Sequence, residues 1–142
     1  MTAPSKEEMF EAVRRVYDAF NRRDADAFGE FFTHDVQIHD LASMPEQEMF
    51  RGQEGVERFY AMQFGVWEAA WGDIERLLEA GPDRVLALAR HGAKARSGPE
   101  VTQHRGVLFA FSDAGKIKEV RFFAEPAEGL AAAGLDEHTP AA

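Results

Sequence analysis

Residues 33–41 read THDVQIHDL, and their alternation decides how the rest of the chain is read. Val36, Ile38 and Asp40 fall on one face and Gln37 and His39 on the other, the period of two that side chains keep along a β-strand. An apolar strand face therefore ends in a carboxylate, aimed at whatever the strand helps to enclose. Upstream, Ser5 followed by Glu8 fits a capping box, and Met9, Val13, Val16, Tyr17 and Phe20 recur at helical spacing. This predicts an amphipathic helix over 6–21 whose other face, Glu7, Glu11, Arg14, Arg15 and Asp18, is solvated. Asp24 is a good cap for a second, shorter helix, whose Ala27, Phe28, Phe31 and Phe32 pack back on the first. The strand thus leaves a helical hairpin.

Downstream, residues 41–50 hold Pro45 and several polar side chains and read as a loop able to cover a pocket mouth. Val56, Phe59, Tyr60, Phe64 and Trp67 then mark the buried stripe of a third helix that starts just after Arg51 and Gly52. From Trp71 the pattern turns to strands, over 73–79, 84–96, 101–112 and 116–124. The breaks between them, Gly81-Pro82-Asp83, Ser97-Gly98-Pro99 and Ser112 to Gly115, are rich in residues that tolerate tight turns. An antiparallel meander is expected, followed by a short helix over 126–133. Residues 1–135 read as a single domain and 136–142 as a frayed tail.

The bulk numbers agree with one domain, since 142 residues enclose a single core that buries roughly two-thirds of the unfolded surface. Twelve Phe supply more rigid aromatic area than such a core needs, so some are expected to line a cavity. A net charge of -9 without any basic run opposes nucleic acid and anionic membrane as partners, because both require clustered Lys and Arg. The absence of cysteine excludes disulfides, thiolate metal sites and cysteine nucleophiles. The opening MTAPSKEEMF lacks the features of a secretion signal, and no apolar stretch approaches the roughly 20 residues of a membrane span. The cytoplasm is the expected compartment.

The order of elements, with the segments YDAFNRRDADAFGEFFTHDVQIHD, FRGQEGVERFY and FAFSDAGKIKEVRFF, resembles the nuclear transport factor 2-like superfamily and within it the SnoaL-like branch. The likeness runs over roughly residues 7–135. It implies an α+β fold: a cone-shaped curved antiparallel sheet wrapped around three N-terminal helices, usually in a homodimer. Known activities of that superfamily include ketosteroid isomerase, polyketide cyclases, epoxide hydrolases and dehydratases, alongside many binders without turnover, so fold likeness leaves the reaction open.

Within that resemblance Asp40 matches the position of the isomerase base, and a carboxylate that has lost part of its hydration suits general acid–base work. The bland alternative is an Asp that caps a loop or pairs with a nearby Arg. His39, its neighbour, points to the opposite face and cannot readily share a proton with it. The two oxyanion donors of the isomerase are replaced, because Val16 stands at the tyrosine position with Tyr17 one residue away, and Val107 stands at the late acid position.

A two-residue Ser97-Gly98 turn would place Arg90 opposite Arg105 and His91 opposite His104. The family's geometry then turns Leu86, Leu88, Arg90, Gln103, Arg105, Val107 and Phe109 toward the cone. Two facing arginines need an anion between them, so an acidic or strongly polar small organic ligand is expected, contacted by Tyr17, Tyr60, Arg90, Gln103, Arg105, Val107 and Phe122. Two alternatives stay open: arginines pointing into water at an open rim, and a bulge that exchanges the faces and brings His91 and His104 inside. A lone pair of histidines is a weak metal signal, and neither a metal nor a cofactor is expected. Apolar residues on both faces of the 101–112 strand, Leu108 and Ala110 against Phe109 and Phe111, call for a second covering layer, for which a homodimer is the simplest source. Three functions fit: a cofactor-independent isomerase, cyclase or dehydratase using Asp40, a ligand-binding module without turnover, and a dimeric protein-interaction domain.

Overall fold

A computed structural model describes residues 3–40 and 48–136 of the chain. The first helix, α1 (Lys6–Asn21), starts in the expected capping box. Ser5 Oγ accepts from the Glu8 amide at 3.1 Å, and the Ser5 amide donates to Glu8 Oε1 at 2.9 Å, which satisfies two of the amides a helix start leaves unpaired. Its stripe of Met9, Val13 and Val16 is buried. After Arg23, held at φ 58°, the Asp24 side chain caps α2 (Ala25–Gly29) through the Ala27 amide. The chain then runs directly into β1 (Phe32–Asp40).

The segment read as a loop over 41–50 holds a strand at its end: β2 (Glu48–Arg51) pairs antiparallel with β1, Phe50 opposite Ile38. Four residues with one charged group at each end show too little alternation to be read as a strand; the open edge of β1 recruits them. The rest of that segment, like all of the expected tail but Asp136, lies outside the described residues. The third helix, α3 (Gly52–Val66), stops one residue before Trp67, which is already extended. Four strands follow, β3 (Ala69–Glu79), β4 (Arg84–Lys94), β5 (Glu100–Phe111) and β6 (Ile117–Phe123), and then the short helix α4 (Pro126–Ala132).

The six strands form one sheet in the order β2-β1-β6-β5-β4-β3. Neighbours are antiparallel except β1 and β6, which run parallel. Register shifts interrupt the β1/β6, β3/β4 and β5/β6 pairings, and such extra residues increase local twist and bend strands. The resulting curved sheet closes on the helices, with α1 against β3 and β4 and α3 against β1. Its concave side joins Val36, Ile38, Val85, Ala87, Val107, Phe109 and Val120 to the helix stripes in one core. This is the α+β cone expected from the resemblance.

The convex side carries a second, smaller core of Leu78, Leu86, Leu108 and Phe123. Its cover is α4, whose Leu130 is 7% exposed. A Cβ on Gly106 would come 3.1 Å from the Gly129 Cα, so α4 approaches β5 backbone to backbone. The second layer demanded by the two apolar faces of β5 therefore comes from this chain itself rather than requiring another copy.

Candidate functional site

The concave side of the sheet leaves a cavity of about 470 Å³ between α1, α3 and the strands. That volume lies within the range of small-molecule sites, which are mostly apolar with a few placed polar groups. Aromatic side chains form much of its wall, among them Phe20, Phe59, Trp67, Trp71 and Phe122. The polar side chains that reach it are Tyr17, Asp40, Gln63, His91, Gln103 and Arg105.

Strand alternation delivers Asp40. With Ile38 in the core, the residue two further along faces the same way, and Asp40 lines the cavity. His39 turns outward, its Nε2 3.4 Å from the Glu119 carboxylate, so it plays no part beside Asp40. Phe122, opposite Asp40 on β6, stacks on Phe59 with centroids 5.3 Å apart and forms part of the wall.

The β4/β5 hairpin departs from the expected register by one residue. Arg90 pairs with His104 and His91 with Gln103, while Lys94 pairs with Glu100, leaving a five-residue connection centred on Ser97 rather than a two-residue turn. Because side chains alternate, a slip of one residue on one strand flips that strand's faces. On β5 the expected face holds, and Gln103 and Arg105 line the cavity. On β4 it reverses: His91 enters the cavity wall and Arg90 leaves it. Arg90 is half exposed on the convex face, 3.6 Å from Asp73. The facing pair of arginines therefore does not exist, and one cation, Arg105, remains. His104 is on the convex face as well, its Nδ1 2.8 Å from Glu75, so the two histidines make no joint metal site. Among the described residues no group of three or more His, Asp and Glu side chains is placed to hold a metal ion.

Two further expected contacts sit behind the wall. Val107 is fully buried in the core and Tyr60 packs on Phe20, Phe28 and Phe64; neither reaches the cavity. Burial of the Tyr60 ring raises its phenol above the ordinary value. Val16 does line the cavity, as an aliphatic group.

Arg105 is fixed at two points. One Nη donates to the Ala124 carbonyl at 2.6 Å, and the other to the Gln103 side-chain oxygen. Among the described residues no carboxylate lies within ion-pair distance of it, so its charge is available to the cavity.

His91 is the residue that sequence reasoning placed on the wrong face, and it has a defined partner. Its Nε2 and the Tyr17 hydroxyl share a hydrogen bond of 2.7 Å. The Tyr17 ring owes its position to Gly72, which lies opposite His91 on β3. A Cβ there would meet Tyr17 Cε2 at 2.6 Å, so only glycine leaves the ring its place. Asn21 pins this point from α1, donating to the Gly72 carbonyl at 2.8 Å and accepting from its amide at 2.9 Å. Burial lowers the His91 imidazole to about 4, assisted by the Arg105 charge, and burial pushes the Tyr17 phenol well above its usual range. Both groups are neutral at pH 7. An alternating apolar strand interrupted by one His, set opposite a Gly, was the signal in the sequence, but reading it required the register.

Solved structures share this architecture. RV0760c from Mycobacterium tuberculosis, crystallised with estradiol-17beta-hemisuccinate, superposes with a TM-score of 0.72 at 15% identity, over 81% of this chain and 92% of that one. A hypothetical protein with a ketosteroid isomerase-like fold from Catenulispora acidiphila, in complex with trimethylamine, matches 98% of this chain and 100% of its own, at 22% identity and a TM-score of 0.72. SalBIII, an epoxide hydrolase/cyclase-like enzyme with a role in pyran ring formation in salinomycin, matches 83% and 91% of the two chains at 17% identity and a TM-score of 0.70. At these identities the likeness establishes the fold alone. No curated protein sequence matches the chain. The SnoaL-like domain profile, however, matches residues 13–120, more than half of the sequence and a span that runs from within α1 to within β6, and the chain belongs to the SnoaL-like family.

Proposed function

We propose that this protein binds a small organic molecule with an acidic or strongly polar group inside the cone, and that Asp40 serves there as general acid or base. The reaction would be a cofactor-independent isomerase, cyclase or dehydratase step. The observation that carries this reading is the aromatic cavity on which Asp40, Arg105 and Gln103 converge. Arg105 supplies the charge for an acidic group, the rings supply apolar area, and Asp40 is the one carboxylate among the described wall residues. A second reading, binding without turnover, is favoured by the aliphatic Val16 and Val107 at the two places where the isomerase carries oxyanion donors, since a developing oxyanion needs donors aimed at it.

Thermal shift with 2-naphthoate against 2-methylnaphthalene tests the ligand class, and equal stabilisation by the two would overturn the preference for an acidic group. On a ligand found by such screening, Asp40→Asn separates the readings: retained affinity with turnover lost supports catalysis, and no turnover in either form supports a binder. The homodimer, which rests on the family resemblance, belongs to the same proposal, as does a cytoplasmic location. Sedimentation at pH 5.5 and 8 tests assembly, with a monomer at both values as the contrary result.

A further inference from the structure

We infer that Tyr17 and His91 together form a neutral donor station in the cavity wall, which takes an uncharged acceptor oxygen of the ligand, such as a ketone carbonyl. The inference rests on the cavity being a ligand site, and it assigns to that site a second polar contact besides Arg105 and Asp40.

The station is built by three elements. Tyr17 comes from α1, His91 from β4, and β3 contributes the side-chain-free backbone of Gly72, held by both hydrogen bonds of Asn21. Both polar side chains line the cavity, and among the described residues each makes one side-chain hydrogen bond, to the other. Their hydrogens can be counted without knowing the tautomer. A phenol and a neutral imidazole bring one O–H and one N–H. If Tyr17 donates to Nε2, the imidazole hydrogen is on Nδ1 and is spare; if Nε2–H donates to the Tyr17 oxygen, the phenol hydrogen is spare. Either way one hydrogen is used inside the pair and one remains for a third atom. The pair also carries no net charge, with the Arg105 cation close enough to disfavour protonation of the imidazole. An uncharged acceptor fits this better than a second cation, which finds no counter-charge here.

Position separates this station from Asp40. Asp40 is carried by β1 and His91 by β4, with β5 and β6 between them, and Tyr17 comes from α1. The station and Asp40 therefore address different parts of a ligand, while Phe122, whose ring centroid is 6.3 Å from that of His91, fills the wall between.

The test uses two compounds of one skeleton, 1-tetralone and tetralin, with binding to the full chain measured by calorimetry or competition. The quantity read is the ratio of their Kd values in wild type against that in Tyr17→Phe/His91→Phe, which cancels the different hydration of the two compounds. Loss of one hydrogen bond at an unsatisfied carbonyl should shift the ratio by about tenfold toward the hydrocarbon. Each single variant leaves one donor and should shift it less. Tetralin binding by the double variant reports that the cavity has survived. An unchanged ratio overturns the inference. Should the double variant not fold, the infrared carbonyl stretch of 1-tetralone bound to wild type decides: a shift to lower frequency than in hexane supports the station and no shift overturns it. If wild type binds 2-naphthoate but not 1-tetralone, the inference is overturned; if it binds none of the three compounds, the cavity reading itself fails, a result distinct from an unchanged ratio.

Discussion

At the scale of single residues, His91 carries the largest consequence of the structure. Its imidazole is depressed to about 4 from the ordinary 6.5, burial being the main cause and Arg105 the second. The folded state therefore takes up a proton less readily than the unfolded one. Between pH 6.5 and 4 the unfolded chain binds more protons, so stability is full above this window and falls as pH drops through it. The loss should be on the order of 2 kcal/mol, less than the shift alone would imply because the ring still meets the cavity. Urea titrations at pH 7, 5.5 and 4.5 measure it, and His91→Gln should flatten this part of the profile. The cavity wall also predicts the behaviour of Gly72. Gly72→Ala drives a Cβ to 2.6 Å from Tyr17, and overpacking of this kind costs about 1–3 kcal/mol. Pairing it with Tyr17→Leu should recover part of that loss, whereas additive losses in the double variant would mean that the clash lies elsewhere.

Among the elements, α4 and the β4/β5 hairpin behave differently from what alternation suggests. Leu130 of α4 is buried over Leu86 and Leu108, so Leu130→Ala should destabilise the chain by about 2–4 kcal/mol. Equilibrium unfolding in urea checks this; a loss below 1 kcal/mol would show that the convex core is covered by something other than α4. The hairpin register separates two arginines that composition cannot tell apart. Arg90, half exposed and 3.6 Å from Asp73, is a surface ion pair worth little, and Arg90→Ala should leave 2-naphthoate binding unchanged. Arg105→Met should weaken it at least fivefold, about the worth of a lost charge-assisted contact. Equal effects of the two substitutions would contradict the register.

The whole molecule adds a field that opposes its own site. A formal charge of -9 repels anions at long range, while Arg105 attracts them inside the cone. Salt shortens the reach of exposed charges to about 8–10 Å at 0.1–0.15 M and screens partly buried ones much less. Raising NaCl from 10 to 150 mM should therefore tighten 2-naphthoate binding by about two- to threefold, the reverse of an ordinary ion pair, and leave 1-tetralone unaffected. Fluorescence titration at the two salt concentrations reads both, and a weaker 2-naphthoate affinity at high salt would show local attraction to be dominant. The elements of this molecule were legible in the chain wherever a period repeats. The Met9, Val13, Val16 stripe, the Asp24 cap and the Val36, Ile38, Asp40 face act through neighbours at fixed spacing, so the helical hairpin, the α+β class and the cavity-facing Asp40 followed from sequence alone. Tertiary structure decided what depends on pairing at a distance. The short strand β2 exists because β1 offers an open edge, α4 covers the convex core because Gly106 and Gly129 let two backbones meet, and a five-residue connection at Ser97 sets the one-residue slip that turns Arg90 out and His91 in. Alternation along a strand says which residues share a face; only the register with the neighbouring strand says which face looks into the cone.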